Sequence, residues 1–411
     1  MPIREKLAPR TDEPGLGFRM ADRVSGPRTA RVLDFMEASW VGGPAKNLIE
    51  FATRAASLKE ASLRPNVAVA TFHRGGSPAS NEFILACQRA GLEVHAIQER
   101  YAFDVGVIGA VRELIASYDP EIIQTHSVKS HFLVRLSGGY RQRCWIAFHH
   151  GYTWTNPKVR VLNHLDRWSL PAATQVVTVC RPFASSLERI GIDSHKIAVH
   201  HNSVRAFLPS AADRVVEVRR DLRIPADSQV LLNVGRLSRE KGQSDLIEAV
   251  ALLYRERSER DLRVVFVGYG PDGQRLKRLA KLSGMEERII FAGHQADVSP
   301  FYTMADMMVL PSHTEGSPNT LLEAMAAGLP IVATCVGGVR EIATDEKDAL
   351  LVEKQNPGRL AGAIARVLSD TALRNNISKN ARRTASAYSP EAYCNFMISL
   401  YKRCLANGKN E

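Results

Sequence analysis

Short apolar runs rich in β-branched residues alternate with amphipathic stretches of 10 to 15 residues along nearly the whole chain. In the first half the runs are Arg31 to Glu37, Asn66 to Phe72, Leu92 to Ile97, Glu121 to His126, Cys144 to His150, Gln175 to Cys180 and Lys196 to His200. In the second half they are Val230 to Gly235, Leu262 to Gly268, Ile289 to Gly293, Met307 to Pro311, Ile331 to Thr334 and Ala349 to Glu353. Strand-length runs separated by helix-length stretches predict an α/β fold of two doubly wound parallel sheets with covering helices. At 411 residues the chain is long enough for two domains of ordinary size. The segment Arg205 to Asp213 has weak periodicity and falls between the two series, so the joint is expected there. The predicted organisation is a loose tail over 1–28, a first domain over 29–207, a second over 208–388, and a last helix within 389–411 that returns toward the first domain.

Composition narrows the classes further. With 45% apolar and 24% charged residues, and Gly 28 and Pro 20 spread out, the chain is neither disordered nor collagen-like nor of low complexity. Its six cysteines have no C-x-x-C spacing and read as reduced thiols, which argues against a secreted disulfide framework or a thiolate zinc site. The uncharged stretch Ala324 to Val339 is too short and too interrupted by Gly and Pro to span a bilayer. Charges run through the first thirty residues, so no signal peptide is expected. More than half of the net charge of +11 falls between His126 and Trp168, where seven basic residues face the single acid Asp166. Phe132, Tyr140, Trp145, Phe148, Tyr152, Trp154 and Trp168 are interleaved with them. That stretch suits an anionic membrane face or nucleic acid, or is a solvated surface over core aromatics.

The densest motif is Glu315-Gly316-Ser317-Pro318-Asn319-Thr320-Leu321-Leu322-Glu323. Ser317 suits an N-cap and Pro318 the first helical position, which puts Glu315 in a loop and Glu323 on a helix. Even if both were helical, eight residues at about 1.5 Å would separate them by roughly 12 Å, beyond the pairing of glycosidase carboxylates. They fit two grips on one long ligand, with the helix N-terminus between them holding a phosphate. In Gly235-Arg236-Leu237-Ser238-Arg239-Glu240-Lys241-Gly242, Arg236 and Lys241 flank a loop at a strand end, where two cations can neutralise a diphosphate and stabilise it as a leaving group. Gly268-x-Gly270-x-x-Gly273 matches a dinucleotide-binding turn, but lies in the second unit of its domain, and the next strand ends without an acid for the ribose. Gly42-Gly43 would let backbone approach a ligand, or make a tight turn. His150-Gly151 ends a strand facing the same cleft, where a lone histidine can equally be structural. There is no D-x-D, H-E-x-x-H or Cys/His cluster, so neither a metal site nor a resident cofactor is expected.

Taken in order, Gly42-Gly43, His150-Gly151, Asn202, Gly235-Arg236 with Lys241-Gly242, Gly268-x-Gly270-Pro271, the Glu315 to Glu323 spacing and Gly337-Gly338-Val339-Arg340-Glu341 resemble glycosyltransferase family 4. The resemblance implies a retaining enzyme of the GT-B fold, with two Rossmann-like domains facing across a donor cleft and a nucleotide sugar as substrate. It implies that Arg236 and Lys241 bind the donor diphosphate and that Glu323 holds the ribose. Glu315 would contact the donor sugar, with Gly235, Gly316, Ser317, Pro318, Asn319 and Thr320 beside sugar and phosphate. His150 would reach the sugar from the first domain, and Gly42 and Gly43 would line the junction of donor and acceptor. The sequence departs from the family at Ser203, where glycine is usual, and at Ser317-Pro318-Asn319, where a Phe-Gly loop is commoner. The expected donor is a UDP-sugar and the expected acceptor a glycan or lipid-linked glycan in lipopolysaccharide or exopolysaccharide biosynthesis. The expected location is cytoplasmic, with residues 126–168 touching the inner face of the plasma membrane. The rival readings are an NAD(P)-dependent oxidoreductase built on the Gly268 turn and a basic nucleic-acid-binding protein.

Overall fold

The computed structural model describes residues 29–58, 64–74, 81–101, 104–152, 157–256 and 261–407. The expected tail over 1–28, Trp154, and the side chains of Lys158 and Arg160 lie outside the described residues.

The first sheet comprises β1 (Arg31–Phe35), β2 (Asn66–Arg74), β3 (Glu93–Glu99), β4 (Ile122–Thr125), β5 (Cys144–His149), β6 (Gln175–Thr178) and β7 (Ile197–Val199). The second comprises β8 (Gln229–Val234), β9 (Leu262–Val267), β10 (Ile289–Gly293), β11 (Met307–Leu310), β12 (Ile331–Thr334) and β13 (Leu350–Val352). Every run read from the pattern is a strand, with bounds within two residues. All pairings are parallel, in the orders β3-β2-β1-β4-β5-β6-β7 and β10-β9-β8-β11-β12-β13. Each sheet therefore reverses its winding between its first and fourth strands, and at that crevice loops part and ligands of open α/β sheets bind.

The strands read as continuous apolar runs because helices cover both faces. Ile122 and Ile123 on β4, and Val230, Leu231 and Leu232 on β8, are fully buried. Each sheet accordingly has two hydrophobic clusters, one per face. In the first domain α1 (Gly43–Ala56) turns Leu48, Phe51, Ala52 and Ala55 inward at helical spacing. The chain's last element, α15 (Pro390–Asn407), joins that cluster. Its Tyr393, Met397, Leu400, Tyr401 and Cys404 are buried against α1, with Phe51 edge-on to both tyrosines.

One cysteine expectation is corrected. Cys144 at the start of β5 and Cys404 on α15 form a disulfide, with Cα atoms 5.8 Å apart, while Cys87, Cys180, Cys335 and Cys394 are free. The pair is 260 residues apart in sequence and is brought together only by the return of α15, so no local spacing could announce it.

Candidate functional site

The second-domain wall of the interdomain cleft is shaped by backbone. Where β8 ends, Asn233 Nδ2 donates to the Val309 carbonyl across to β11 at 2.9 Å, and Gln243 Nε2 holds the Arg236 carbonyl at 2.9 Å. The glycines lie where loops touch. A Cβ on Gly242 would stand 2.0 Å from the Pro311 carbonyl oxygen, one on Gly337 1.8 Å from that of Glu315, and one on Gly338 1.8 Å from that of Gly316. No side chain fits such gaps, so the loops around Glu315 nest as bare backbone. The G-x-G-x-x-G match has the same explanation. A Cβ on Gly268 would meet the Gly235 oxygen at 2.0 Å and one on Gly270 the Leu237 oxygen at 2.2 Å. These glycines press on the Gly235–Leu237 loop instead of opening toward a pyrophosphate, which removes the observation behind the oxidoreductase reading.

The charged groups are ordered on that wall. Glu315 is buried; its Oε1 accepts from Lys241 Nζ at 2.7 Å and from Ser312 Oγ at 2.6 Å. Arg236, in the loop after β8, is exposed and has no carboxylate partner among the described residues. Glu323 lies on α11 (Asn319–Ala327), with Oε2 accepting from the Tyr302 hydroxyl at 2.9 Å and Oε1 meeting Lys46 Nζ of the first domain at 3.1 Å. Burial, then the nearby Glu323, raises the Tyr302 phenol well above its ordinary range, so it stays a donor. The N-cap expectation is corrected: the helix starts at Asn319 with Pro318 as its cap, and no side chain caps it. Ser317 is drawn away by the domain contact, its Oγ accepting from the Asn202 N–H at 2.9 Å and its carbonyl from Asn202 Nδ2 at 2.7 Å. Asn47 Nδ2 donates to Asn202 Oδ1 at 2.9 Å, and a Cβ on Gly43 would come 2.8 Å from Asn319 Nδ2. Gly43, Asn47 and Lys46 thus press the first domain against the Glu315–Glu323 segment, while Gly42 packs near Trp40.

The first-domain wall is made of side chains, most of which the sequence did not single out. His150 stacks at 5.9 Å on His126, which follows β4 at the switch point and is itself stacked on Phe148 at 4.3 Å. His126 Nε2 donates to Asp34 Oδ2 at 2.8 Å, and Gln124 Nε2 donates to the same oxygen at 2.6 Å. The Gln124 Oε1 in turn accepts from the Tyr401 hydroxyl of α15 at 2.6 Å. A carboxylate oxygen accepts, so Asp34 orients both the Gln124 amide and the His126 imidazole. Burial, then His126, His149 and His131, pushes the His150 pKa down to about 3, and burial pushes that of His149 to about 4. Both are neutral at neutral pH and suited to hydroxyl groups. His149 packs edge-on to Tyr152 and Phe183 instead of joining His150.

Much of the basic stretch is consumed inside the protein. Lys129 pairs with Glu37 and Glu99 and lies over the Phe72 ring, Arg143 pairs with Asp119, and Arg135 stacks on Trp168 at 3.8 Å. Trp145 is fully buried, its Nε1 donating to Thr125 Oγ1 at 2.9 Å, and Phe148 is core. The pairing of Lys129 and Arg143 and the burial of Trp145 and Phe148 leave a smaller basic and aromatic surface among the described residues than the sequence suggested. Among them no helix is long and apolar enough to cross a membrane, and no three His, Cys, Asp or Glu side chains converge on a metal-sized space.

Two family models match this chain: "Glycosyltransferase Family 4" over residues 51–206 and "Glycosyl transferases group 1" over residues 216–384. Curated relatives include a D-inositol 3-phosphate glycosyltransferase of Corynebacterium urealyticum, 32% identical over 52% of this chain and 53% of that protein. Another is the lipopolysaccharide core biosynthesis glycosyltransferase LpsD of Rhizobium meliloti, 32% identical over 46% of this chain and 53% of that one. The chain spans about half the length of these curated relatives. Among solved structures, HepE of Anabaena in complex with UDP and glucose superposes with a TM-score of 0.77 at 19% identity, over 91% of this chain and 100% of that one. WaaG, a glycosyltransferase involved in lipopolysaccharide biosynthesis, does so with 0.66 at 16%, over 90% and 99%. With the Glycosyltransferase Family 4 model on its first doubly wound domain and the glycosyl transferases group 1 model on its second, together spanning more than half of it, the chain belongs to glycosyltransferase family 4.

Proposed function

We propose that the protein is a retaining glycosyltransferase that moves a hexosyl group from a nucleotide-diphosphate sugar to a glycan or lipid-linked glycan. The observation that carries this reading is the pair of anchored carboxylates, Glu315 held by Lys241 and Glu323 held by Tyr302, on either side of the Gly316–Thr320 backbone. Glu323 offers carboxylate oxygens to a ribose diol. Arg236 and Lys241 would supply the counter-charge that a diphosphate between the two grips needs, and Glu315 would then face the donor sugar. Binding of UDP by a structural neighbour favours uridine as the base. Among the relatives, LpsD favours an envelope polysaccharide pathway, and with it a cytoplasmic enzyme.

In this reading the bond from the anomeric carbon to the diphosphate oxygen breaks as the acceptor oxygen bonds to the same face of that carbon. The acceptor proton passes to the departing diphosphate, whose charge Arg236 and Lys241 stabilise. Asp34, a buried first-domain carboxylate, is engaged by Gln124 and His126 and serves as their anchor, not as a nucleophile. His126 and the neutral His150 meet sugar hydroxyls. Trapping a covalent glycosyl-enzyme adduct would overturn this front-face course. Domain organisation follows the boundaries near residues 207 and 388, with α15 returning. The exposed remainder of the basic stretch, Arg141 with the Arg135–Trp168 pair, would meet an anionic membrane carrying the acceptor, and liposome flotation indifferent to anionic lipid would remove that contact.

The deciding experiment is calorimetry of UDP, GDP, ADP and NAD in EDTA with wild type, Lys241→Ala and Glu323→Ala. One nucleoside diphosphate should bind and be weakened in both variants. Binding of NAD alone, unaffected by either substitution, would sink the reading.

A further inference from the structure

A cavity of about 620 Å³ opens between the domains on the far side of the Glu315 loop. Phe183, from α6 (Arg181–Glu188) of the first domain, faces the Val336–Gly337 turn of the second across it. His313 and Thr314, the two residues leading into Glu315, form one flank. Gly337 packs against the Glu315 carbonyl, so the cavity wall and the Glu315 loop touch through their backbones.

Its charge is unbalanced. Arg189, Arg340 and Lys354 line it against one acid, Glu353. Each cation is steadied by a neutral oxygen of the cavity's own walls. Arg189 Nη2 donates to Ser186 Oγ at 2.9 Å, Arg340 Nε to the Cys335 carbonyl at 2.9 Å, and Lys354 Nζ to the His313 carbonyl at 3.5 Å. None of the three meets a carboxylate among the described residues. All three are exposed side chains, and these neutral contacts leave their charge uncompensated. Guanidinium forks match the paired oxygens of phosphates and carboxylates. The half-buried Phe183 ring adds an apolar face, and a few placed polar groups around an aromatic wall is how small-molecule sites are commonly built.

We propose that this cavity is a subsite for an anionic group, a phosphate ester or a carboxylate, borne by a sugar of the acceptor, with Phe183 packing against that sugar's ring. Arg236 and Lys241 serve the donor diphosphate, and Arg189, Arg340 and Lys354 select the acceptor's charge. The word acceptor rests on the glycosyl-transfer reading; binding of an anionic sugar does not.

The cavity carries its own probe. Cys335 lines it and is half-buried, whereas the other free thiols, Cys87, Cys180 and Cys394, are buried. Pulse alkylation with iodoacetamide, read on the Cys335 peptide by mass spectrometry, is run with glucose 6-phosphate, glucuronate, glucose, or sodium chloride at matched ionic strength. Direct calorimetry of the same sugars accompanies it. Glucose 6-phosphate or glucuronate should slow alkylation about fivefold or more at saturating concentration, and whichever protects identifies the anion. Glucose and chloride should do nothing. The triple variant Arg189→Gln, Arg340→Gln, Lys354→Gln should lose both protection and heat of binding, and Lys354→Gln alone should weaken them, while UDP affinity stays at the wild-type value. Equal protection by chloride, full protection in the triple variant, or no heat with either anionic sugar would overturn the proposal. Protection by an anionic sugar in a protein that binds no nucleoside diphosphate would leave the subsite standing and sink the donor reading.

Discussion

The two walls of the cleft are built by different means. On the second domain the site is shaped by main chain: Gly242, Gly268, Gly270, Gly337 and Gly338 each bring a loop within about 2 Å of where a Cβ would stand. On the first domain it is a stack and relay of side chains, His150 on His126, His126 on Asp34, Asp34 on Gln124 and Gln124 on Tyr401. A backbone wall suits a ligand part that does not vary, such as a diphosphate, because its donors are fixed by the fold and cost no reorganisation. A side-chain wall suits hydroxyl patterns that differ from one sugar to the next.

The largest expected effect tests the charged centre of the backbone wall. Lys241→Ala should remove about 2–4 kcal/mol of transition-state stabilisation, seen mainly in kcat, and a change below about threefold in kcat/KM would deny that wall its dominant role. Acid should next strike the side-chain wall. His149 and His150 take up protons near pH 6.5 when unfolded but only near 4 and 3 when folded, so stability is complete above about pH 6.5 and declines as pH falls below it. Each histidine removes up to about 2 kcal/mol by pH 5, and a His150→Gln variant should show a shallower fall in denaturant midpoint between pH 7 and 5. An unchanged slope would mean that His150 is not neutralised by its surroundings.

Gly337→Ala sharpens the contrast from the other side. Gly337 has φ of 47° and its added methyl meets the Glu315 carbonyl, whereas Gly191, at φ 89°, has open space around it. The first substitution should cost about 2–4 kcal/mol and weaken nucleotide binding, the second about 1–2 kcal/mol from backbone strain alone. Equal unfolding free energies for the two would mean that the loop contact does not constrain the site. Smallest is Tyr401→Phe, which keeps the ring packed on Phe51 but leaves Gln124 Oε1 buried without a donor. It should cost about 1–2 kcal/mol in chemical denaturation and spare UDP affinity, since it touches only the first-domain wall.

This division also explains what could be read beforehand. Strands buried on both faces announce themselves as apolar runs, so all thirteen were found, and a backbone-built wall leaves glycines at fixed offsets. Arg236, Lys241 and Glu315 lie in the loops after the neighbouring strands β8 and β11 and Glu323 on the helix α11 that follows, all within ninety residues of one sheet, which made them legible. Asp34, the neighbouring Gln124 and His126, and Tyr401 are far apart in the chain with no motif joining them, and each is unremarkable alone. His126 could have been found only by asking which residue follows the strand at a reversal of winding. Ser317 misled because its local pattern, Ser-Pro before a helix, is that of a cap, and a contact from Asn202, more than a hundred residues away, took its hydroxyl instead.

The return of α15 sets a timetable for synthesis. A polypeptide leaves the ribosome from its N-terminus, and domains ordinarily fold in that order. Here the pocket on Phe51, the open end of Gln124 and the thiol of Cys144 must wait for residues 393–404, so the domain that is made first is finished last. Until then the nascent first domain exposes an apolar groove and an unpaired thiol, while the second domain has every strand of its own sheet in hand.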